Sequence, residues 1–302
     1  MIISRHFLYF IFLGVFWGLS QSLYKEMALL GVPPSHVIVY TGIGVGLGLM
    51  LAAWSSNTAM TFNRTTVLFG LGCSILMNVP FGAGLYLIRH VPATEMAIIV
   101  STAPLFNYTI ALLTRRENAV PRRLLAVVAG FLSSAVLILS REGMLSGNIS
   151  WWTILAFTVP LLYTAYNWFA AHYWPEEADV FSIGALESFW SAIVVVPFML
   201  YYEAPWSNVT PQLFAYWTVL VAGVMWIIER IAFFTLIRDK GAVYTIQAVY
   251  ISTPAAVVFA ILFYGGGADL WLWVSLAILM LALWLNNSGT SLTPVNATQP
   301  SV

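Results

Sequence analysis

Apolar runs of about twenty residues, separated by short polar or Gly/Pro breaks, fill almost the whole chain. A helix that crosses the hydrocarbon core needs about 20 mostly apolar residues. Ten segments meet this pattern, at approximately 7–27, 34–54, 66–88, 93–114, 121–140, 150–172, 180–201, 212–236, 242–263 and 268–286. The breaks are too short for a separate soluble domain. The polar stretch 288–302, rich in Ser, Thr, Asn and Pro, has nothing to bury and is expected to be a disordered cytoplasmic tail. The first segment follows Arg5 as a secretory signal would. Its apolar run is long and no small-x-small site follows, so it reads as a retained helix.

Composition narrows the solvent to lipid. Of 302 residues, 12 are Lys or Arg and 12 are Asp or Glu, 8% in all, where soluble domains carry about 25%. Apolar residues make up 60%. A water-soluble enzyme, a disordered chain and a disulfide scaffold are excluded, and the balanced charge removes the electrostatic case for nucleic acid. Cys73 is the single cysteine, so no intrachain disulfide can form. With the N-terminus in the cytoplasm, the inner loops hold Arg5, Arg64, Arg115, Arg116, Arg122, Arg123, Arg238 and Lys240. The outer loops hold Lys25, Arg89 and Arg141. That cationic bias predicts both termini on the cytoplasmic side.

The chain also repeats itself. Leu87-Ile88-Arg89 recurs as Leu236-Ile237-Arg238, and Pro92-Ala93 falls opposite Gly241-Ala242 at the same offset. Ser101-Thr102-Ala103-Pro104 faces Ser252-Thr253-Pro254 within a slip of one or two residues. Each copy joins two helices through a very short loop and places a proline mid-helix. Ten helices then divide into five-helix repeats, 1–145 and 146–287. Because five is odd, the second is inverted relative to the first, an arrangement common among transporters. Pro104 and Pro254 are read as paired hinges.

Intramembrane ions are costly and are functional candidates by default. The helix centres of the second repeat contain Glu187, Glu229 and Arg230. Adjacent helical residues point about 100° apart, so Glu229 and Arg230 are expected to take different partners. Arg230 either snorkels to the headgroups with Glu229 as a structural partner, or the two face a cavity; Trp226, one turn earlier, could stack on Arg230. Glu187 reads as a packing residue or as a partner of Arg230. Tyr163 and Asn167, and Gln247 and Tyr250, share helix faces. With Trp17, Gln21, Asn78 and Ser101 they form a candidate substrate site of aromatic rings and amides, suited to a zwitterion or organic cation. No nucleotide-binding loop or metal-ligand spacing occurs, and no cofactor is expected.

Phe16-Trp17-Gly18, the Arg89–Pro104 stretch, Leu113-Thr114-Arg115-Arg116-Glu117, Gly130 and Ala242–Pro254 resemble the drug/metabolite transporter superfamily in its ten-helix EamA-type branch. The resemblance implies an all-α integral membrane protein with ten transmembrane helices as a 5+5 inverted repeat. It places a central cavity among helices 1, 3, 4, 6, 8 and 9, with helices 5 and 10 as scaffold. The chain departs from the family pattern where two arginines precede Glu117, where Tyr264-Gly265-Gly266-Gly267 ends helix 9, and where Tyr40 and Thr41 stand near a customary arginine. The resulting expectation is a non-enzymatic secondary transporter, an exporter of a small polar or amphipathic metabolite such as an amino acid. It would work by alternating access in a bacterial inner membrane, with protons as a potential coupling ion, as a monomer or weak dimer. The rivals are an intramembrane lipid-acting enzyme and a structural or assembly protein with a dry centre.

Overall fold

The computed structural model describes residues 5–113, 120–140, 150–202, 216–265 and 270–287. The 288–302 tail, Arg115, Arg116, Glu117, Arg141 and Gly266-Gly267 lie outside the described residues. The described residues are all-helical. They comprise α1 (Arg5–Leu29), α2 (Pro34–Ser55), α3 (Arg64–Leu87), α4 (Ala93–Val100), α5 (Ala103–Leu113) and α6 (Pro121–Ser140), then α7 (Trp151–Ala156), α8 (Thr158–His172), α9 (Val180–Tyr202), α10 (Trp217–Ile246), α11 (Val249–Tyr264) and α12 (Leu270–Asn287).

Local chemistry sets many of these limits. Pro34 opens α2, where its missing N–H costs nothing. Asn63 caps α3: its side chain accepts from Thr66 N–H at 2.8 Å, and its own N–H donates to Thr66 Oγ1 at 3.0 Å, a reciprocal capping box. Gly265, left-handed at φ 59°, ends α11. Within α10, Gly241 (φ 81°, ψ 169°) leaves the helical region, so the chain turns on one residue between two spans. The helix restarts at 242, as α4 starts at Ala93 after Pro92.

Seven helical stretches are long and apolar enough to cross a membrane. The segment 93–113 is split at Ser101-Thr102, and Leu270–Leu285 is apolar but shorter. The breaks do not fall where the prolines predict. Pro104 is the second residue of α5, a first-turn position where proline displaces no hydrogen bond. Pro254 lies inside α11, while the break in that copy is earlier, at Gln247-Ala248. Pro104 and Pro254 are therefore not equivalent mid-helix hinges.

The apolar segments pair in a regular way. In segment order, 2 packs on 7 (α2 on α9) and 5 on 10 (α6 on α12). Segment 1 packs on 9 (α1 on α11) and 4 on 6 (α5 on α8); 1 packs on 8 (α1 on α10) and 3 on 6 (α3 on α8); 3 packs on 7 (α3 on α9) and 2 on 8 (α2 on α10). Moving every number by five returns the same set. Two polar contacts sit at such meeting points. Ser133 Oγ donates to the Ser275 carbonyl at 2.7 Å, and Ser275 Oγ donates to the Ser133 carbonyl at 2.8 Å. Thr253 Oγ1 donates to Ser101 Oγ at 2.6 Å.

Lipid provides no hydrophobic drive between helices, so small residues let backbones approach. Gly14 and Gly18 of α1 press on α11: a Cβ added at Gly18 would lie 2.7 Å from the Ser252 carbonyl, and one at Gly14 2.9 Å from that of Ala248. Large apolar side chains such as Trp54, Phe198, Leu220 and Leu262 cover the outside. Trp151, Tyr201, Trp271 and Trp273 are exposed, as lipid-interface anchors should be. Trp152 departs from that role and stacks on His90 with ring centroids 4.2 Å apart.

Gly18→Ala should lower stability by about 1–3 kcal/mol through overpacking. Gly44→Ala, where a Cβ meets open space, should lower nothing. Thermal unfolding of the two purified variants checks this; equal midpoints would contradict the close α1–α11 packing.

Candidate functional site

A cavity of about 160 Å³ opens among α1–α5 and α8–α11. One water needs roughly 10–15 Å³ on the same measure, so the space holds far more than a single water. Its wall is mixed. Trp17, Gln21, Asn78, Ser101, Tyr163, Asn167, Glu229 and Arg230 all line it. Residues far apart in sequence thus meet in one chamber.

Two expected members stand elsewhere. Tyr250 donates its hydroxyl to the Leu283 carbonyl of α12 and packs in the apolar cluster between α11 and α12. Gln247 forms the C-cap of α10, outside the lining. The helix only tightens at Gln247-Ala248, with Tyr250 N–H donating to the Gln247 carbonyl at 2.9 Å, and Tyr250 meets α12 instead of the chamber.

The charged centre lies between α9 and α10. Arg230 Nη1 is 3.3 Å from Glu229 Oε2, and Arg230 Nε is 3.4 Å from Glu187 Oε2. Trp17 Nε1 donates to Glu229 Oε1 at 3.1 Å. Glu229 and Arg230 do pair with each other, contrary to the expectation from their adjacency. Their Cα–Cβ bonds diverge, but the long arginine arm lets the guanidinium reach both carboxylates. Arg230 does not snorkel: its side chain is 16% exposed and is held in the chamber wall. Glu187, 0% exposed, is its partner, as one sequence reading allowed. Trp226, instead of stacking on Arg230, stands edge-on to Phe81 (5.2 Å) and near Tyr24 (6.1 Å).

Rings and hydroxyls complete the wall. Tyr166 stacks on Phe233 at 5.6 Å, and Phe233 tilts against Trp17 at 6.3 Å. Asn78 Nδ2 donates to the Ser191 carbonyl at 3.5 Å across α3 and α9. Ser101 Oγ donates to Ala97 O at 2.6 Å, and Thr253 Oγ1 also reaches Val249 O at 2.9 Å, so these hydroxyls answer backbone carbonyls near the breaks. Neither α6 nor α12 lines the cavity, in line with a scaffold role. The wall also includes α2 and α9, which the resemblance does not place there.

Sequence reading missed the contributions of Tyr24, Ser188 and Ser191 to this wall. It also missed Glu95, a buried acid at the start of α4 that accepts from Thr153 Oγ1 at 3.2 Å. Charges at the span ends act as ties: Lys25 donates to Ile88 O at 2.8 Å, Arg89 to Val32 O at 2.9 Å, and Asp239 meets His6 at 2.9 Å.

Composition and apolar helices together define an integral membrane protein. Residues 5–139 match the EamA-like transporter family, in agreement with the motifs in that part of the chain. Among solved structures, one titled only "Crystal structure of protein" superposes with a TM-score of 0.62 at 12% identity, covering 92% of this chain and 96% of that one. At that identity the likeness is one of fold. No curated protein matches the chain.

Removing one member of a buried ion pair strands its partner and costs about 3–5 kcal/mol. Arg230→Met should therefore sharply lower the thermal midpoint. Adding Glu187→Gln and Glu229→Gln to it should recover most of the loss, because no unpaired charge remains. Unfolding curves of the single and triple variants test this balance.

Proposed function

We propose that this protein is a secondary transporter, working as an exporter, of a small polar or amphipathic metabolite, with amino acids the leading class. The observation that carries this reading is the chamber itself, a space of mixed polar and apolar lining enclosed by membrane-length helices from both halves of the chain. Aromatic faces and amides recognise a compact amphipathic solute, and the acid–arginine cluster offers a counter-charge to either end of a zwitterion.

Transport by alternating access follows from the repeat. The reading takes ten spans, divided as 1–145 and 146–287, with the second five inverted. The exchange-by-five pairing of segments supports it, as do the matched polar contacts at Ser133–Ser275 and Ser101–Thr253. Rocking one half against the other would expose the chamber to each side in turn. Both termini lie in the cytoplasm of a bacterial inner membrane in this reading, which rests on the loop cations. An assembly protein with a dry centre is disfavoured by the placement of Glu229 and Asn78 in the cavity wall. A hydrolytic site is disfavoured because, among the described residues, no histidine lines the cavity and Cys73 is fully buried.

A thermal-shift screen of amino acids, polyamines and quaternary amines identifies a solute for flux measurement in proteoliposomes. Glu229→Gln and Asn78→Ala should each slow flux by about tenfold, the worth of a lost hydrogen bond to a charged or buried group. Tyr250→Phe should leave flux unchanged, since that hydroxyl serves α12. Flux that is indifferent to both Glu229→Gln and Asn78→Ala removes the chamber from the transport path.

A further inference from the structure

Charge arithmetic in the chamber does not close. Three ionisable side chains of formal charge line it, Glu187, Glu229 and Arg230, and two carboxylates share one guanidinium. If all are ionised, one negative charge is left over at membrane depth, where an uncompensated ion costs several kcal/mol.

The two acids are not equivalent. Glu229 has both oxygens engaged, Oε1 by Trp17 and Oε2 by Arg230. Glu187 is held more loosely: its single ionic contact is the 3.4 Å approach of Arg230 Nε to Oε2, with the Tyr166 hydroxyl beside it. Both of its oxygens are closed to a water-sized probe. A solute cation would be excluded from that position, and a proton would not.

Among the described residues, the surroundings hold no second cation. From α10 come Arg230 and Glu229; from α8 comes Tyr166, whose buried hydroxyl stands beside the Glu187 carboxylate; from α3 comes the buried thiol of Cys73. On α2, Gly42 and Gly46 lie against Ser188 and Phe189, while its titratable His36 and Tyr40 stand by Tyr216.

We propose that Glu187 carries an exchangeable proton, and that its arrival frees one edge of Arg230 for an anionic group of the transported solute. The proton adds to a Glu187 carboxylate oxygen and forms one O–H bond. The carboxyl becomes neutral, and the chamber's formal charge goes from minus one to zero. Arg230 keeps Glu229 and loses its electrostatic tie to Glu187. Its Nε then becomes a donor for a carboxylate entering the chamber. Glu187 thus sets when the chamber accepts an anionic group, whereas Glu229 holds Arg230 in place. This inference deepens the transport reading and depends on it for the use to which the proton is put.

Infrared difference spectroscopy of the full chain in lipid, on a pH jump from mildly alkaline to mildly acidic, tests the assignment without any solute. A protonated-carboxyl C=O band that shifts in heavy water should appear in the wild type and be lost in Glu187→Gln. It should persist in Glu229→Gln and in Glu95→Gln. A band lost in Glu229→Gln or Glu95→Gln instead overturns the assignment, and so does the absence of any such band from the wild type. Should Glu187→Gln fail to fold, the other two variants still decide, because a band that survives both leaves Glu187 as the buried acid in the chamber. The spectrum is independent of flux, so a failed proton assignment and a failed transport assay are separate results.

Discussion

One guanidinium between two carboxylates is the constraint from which the centre of this protein follows. Lipid cannot solvate these groups, so the protein must enclose them. Arg230 reaches Glu187 because α9 and α10 lie side by side, while Glu229 stands next to it on α10. The same cluster recruits α1 through the Trp17 indole. Helices that would otherwise have no reason to converge are held around a common polar point, and the space they leave is the chamber.

The outer architecture obeys a different rule. There, association depends on close backbone packing and on small polar seams, since burying apolar surface gains little in a medium as apolar as the surface itself. Gly14 and Gly18 seat α1 on α11, Gly42 seats α2 on the Ser188 turn of α9, and serines join α6 to α12. Close packing therefore serves the chamber wall, where Gly42 and Ser188 both lie, as well as the scaffold pair. A change in the chamber's charges can alter binding without loosening the scaffold pair α6 and α12, which touches none of them.

Much of this was legible in the amino-acid order, because hydropathy and length mark spans before any packing is known. Chemistry at depth was legible too: Trp17, Asn78, Asn167 and Glu229 were recognisable as polar or aromatic groups with no reason to face lipid. What stayed hidden depends on neighbours. Tyr250 and Gln247 share a helical face on paper, but neither lines the chamber: Tyr250 faces α12, and Gln247 stands at the turn between α10 and α11. Prolines announced bends, yet Pro104 sits in a first turn and the chain bends before it. Glu187 looked structural because nothing in periodicity tells which wall a helix completes.

The Ser133–Ser275 contact has a property that the other helix contacts lack. Each serine gives its proton to the other's carbonyl, so the patch on α6 answers the patch on α12 as an equal. A self-answering surface of this kind is what joins the subunits of a two-fold symmetric dimer. The seam would hold two unlinked polypeptides as well as it holds two segments of one.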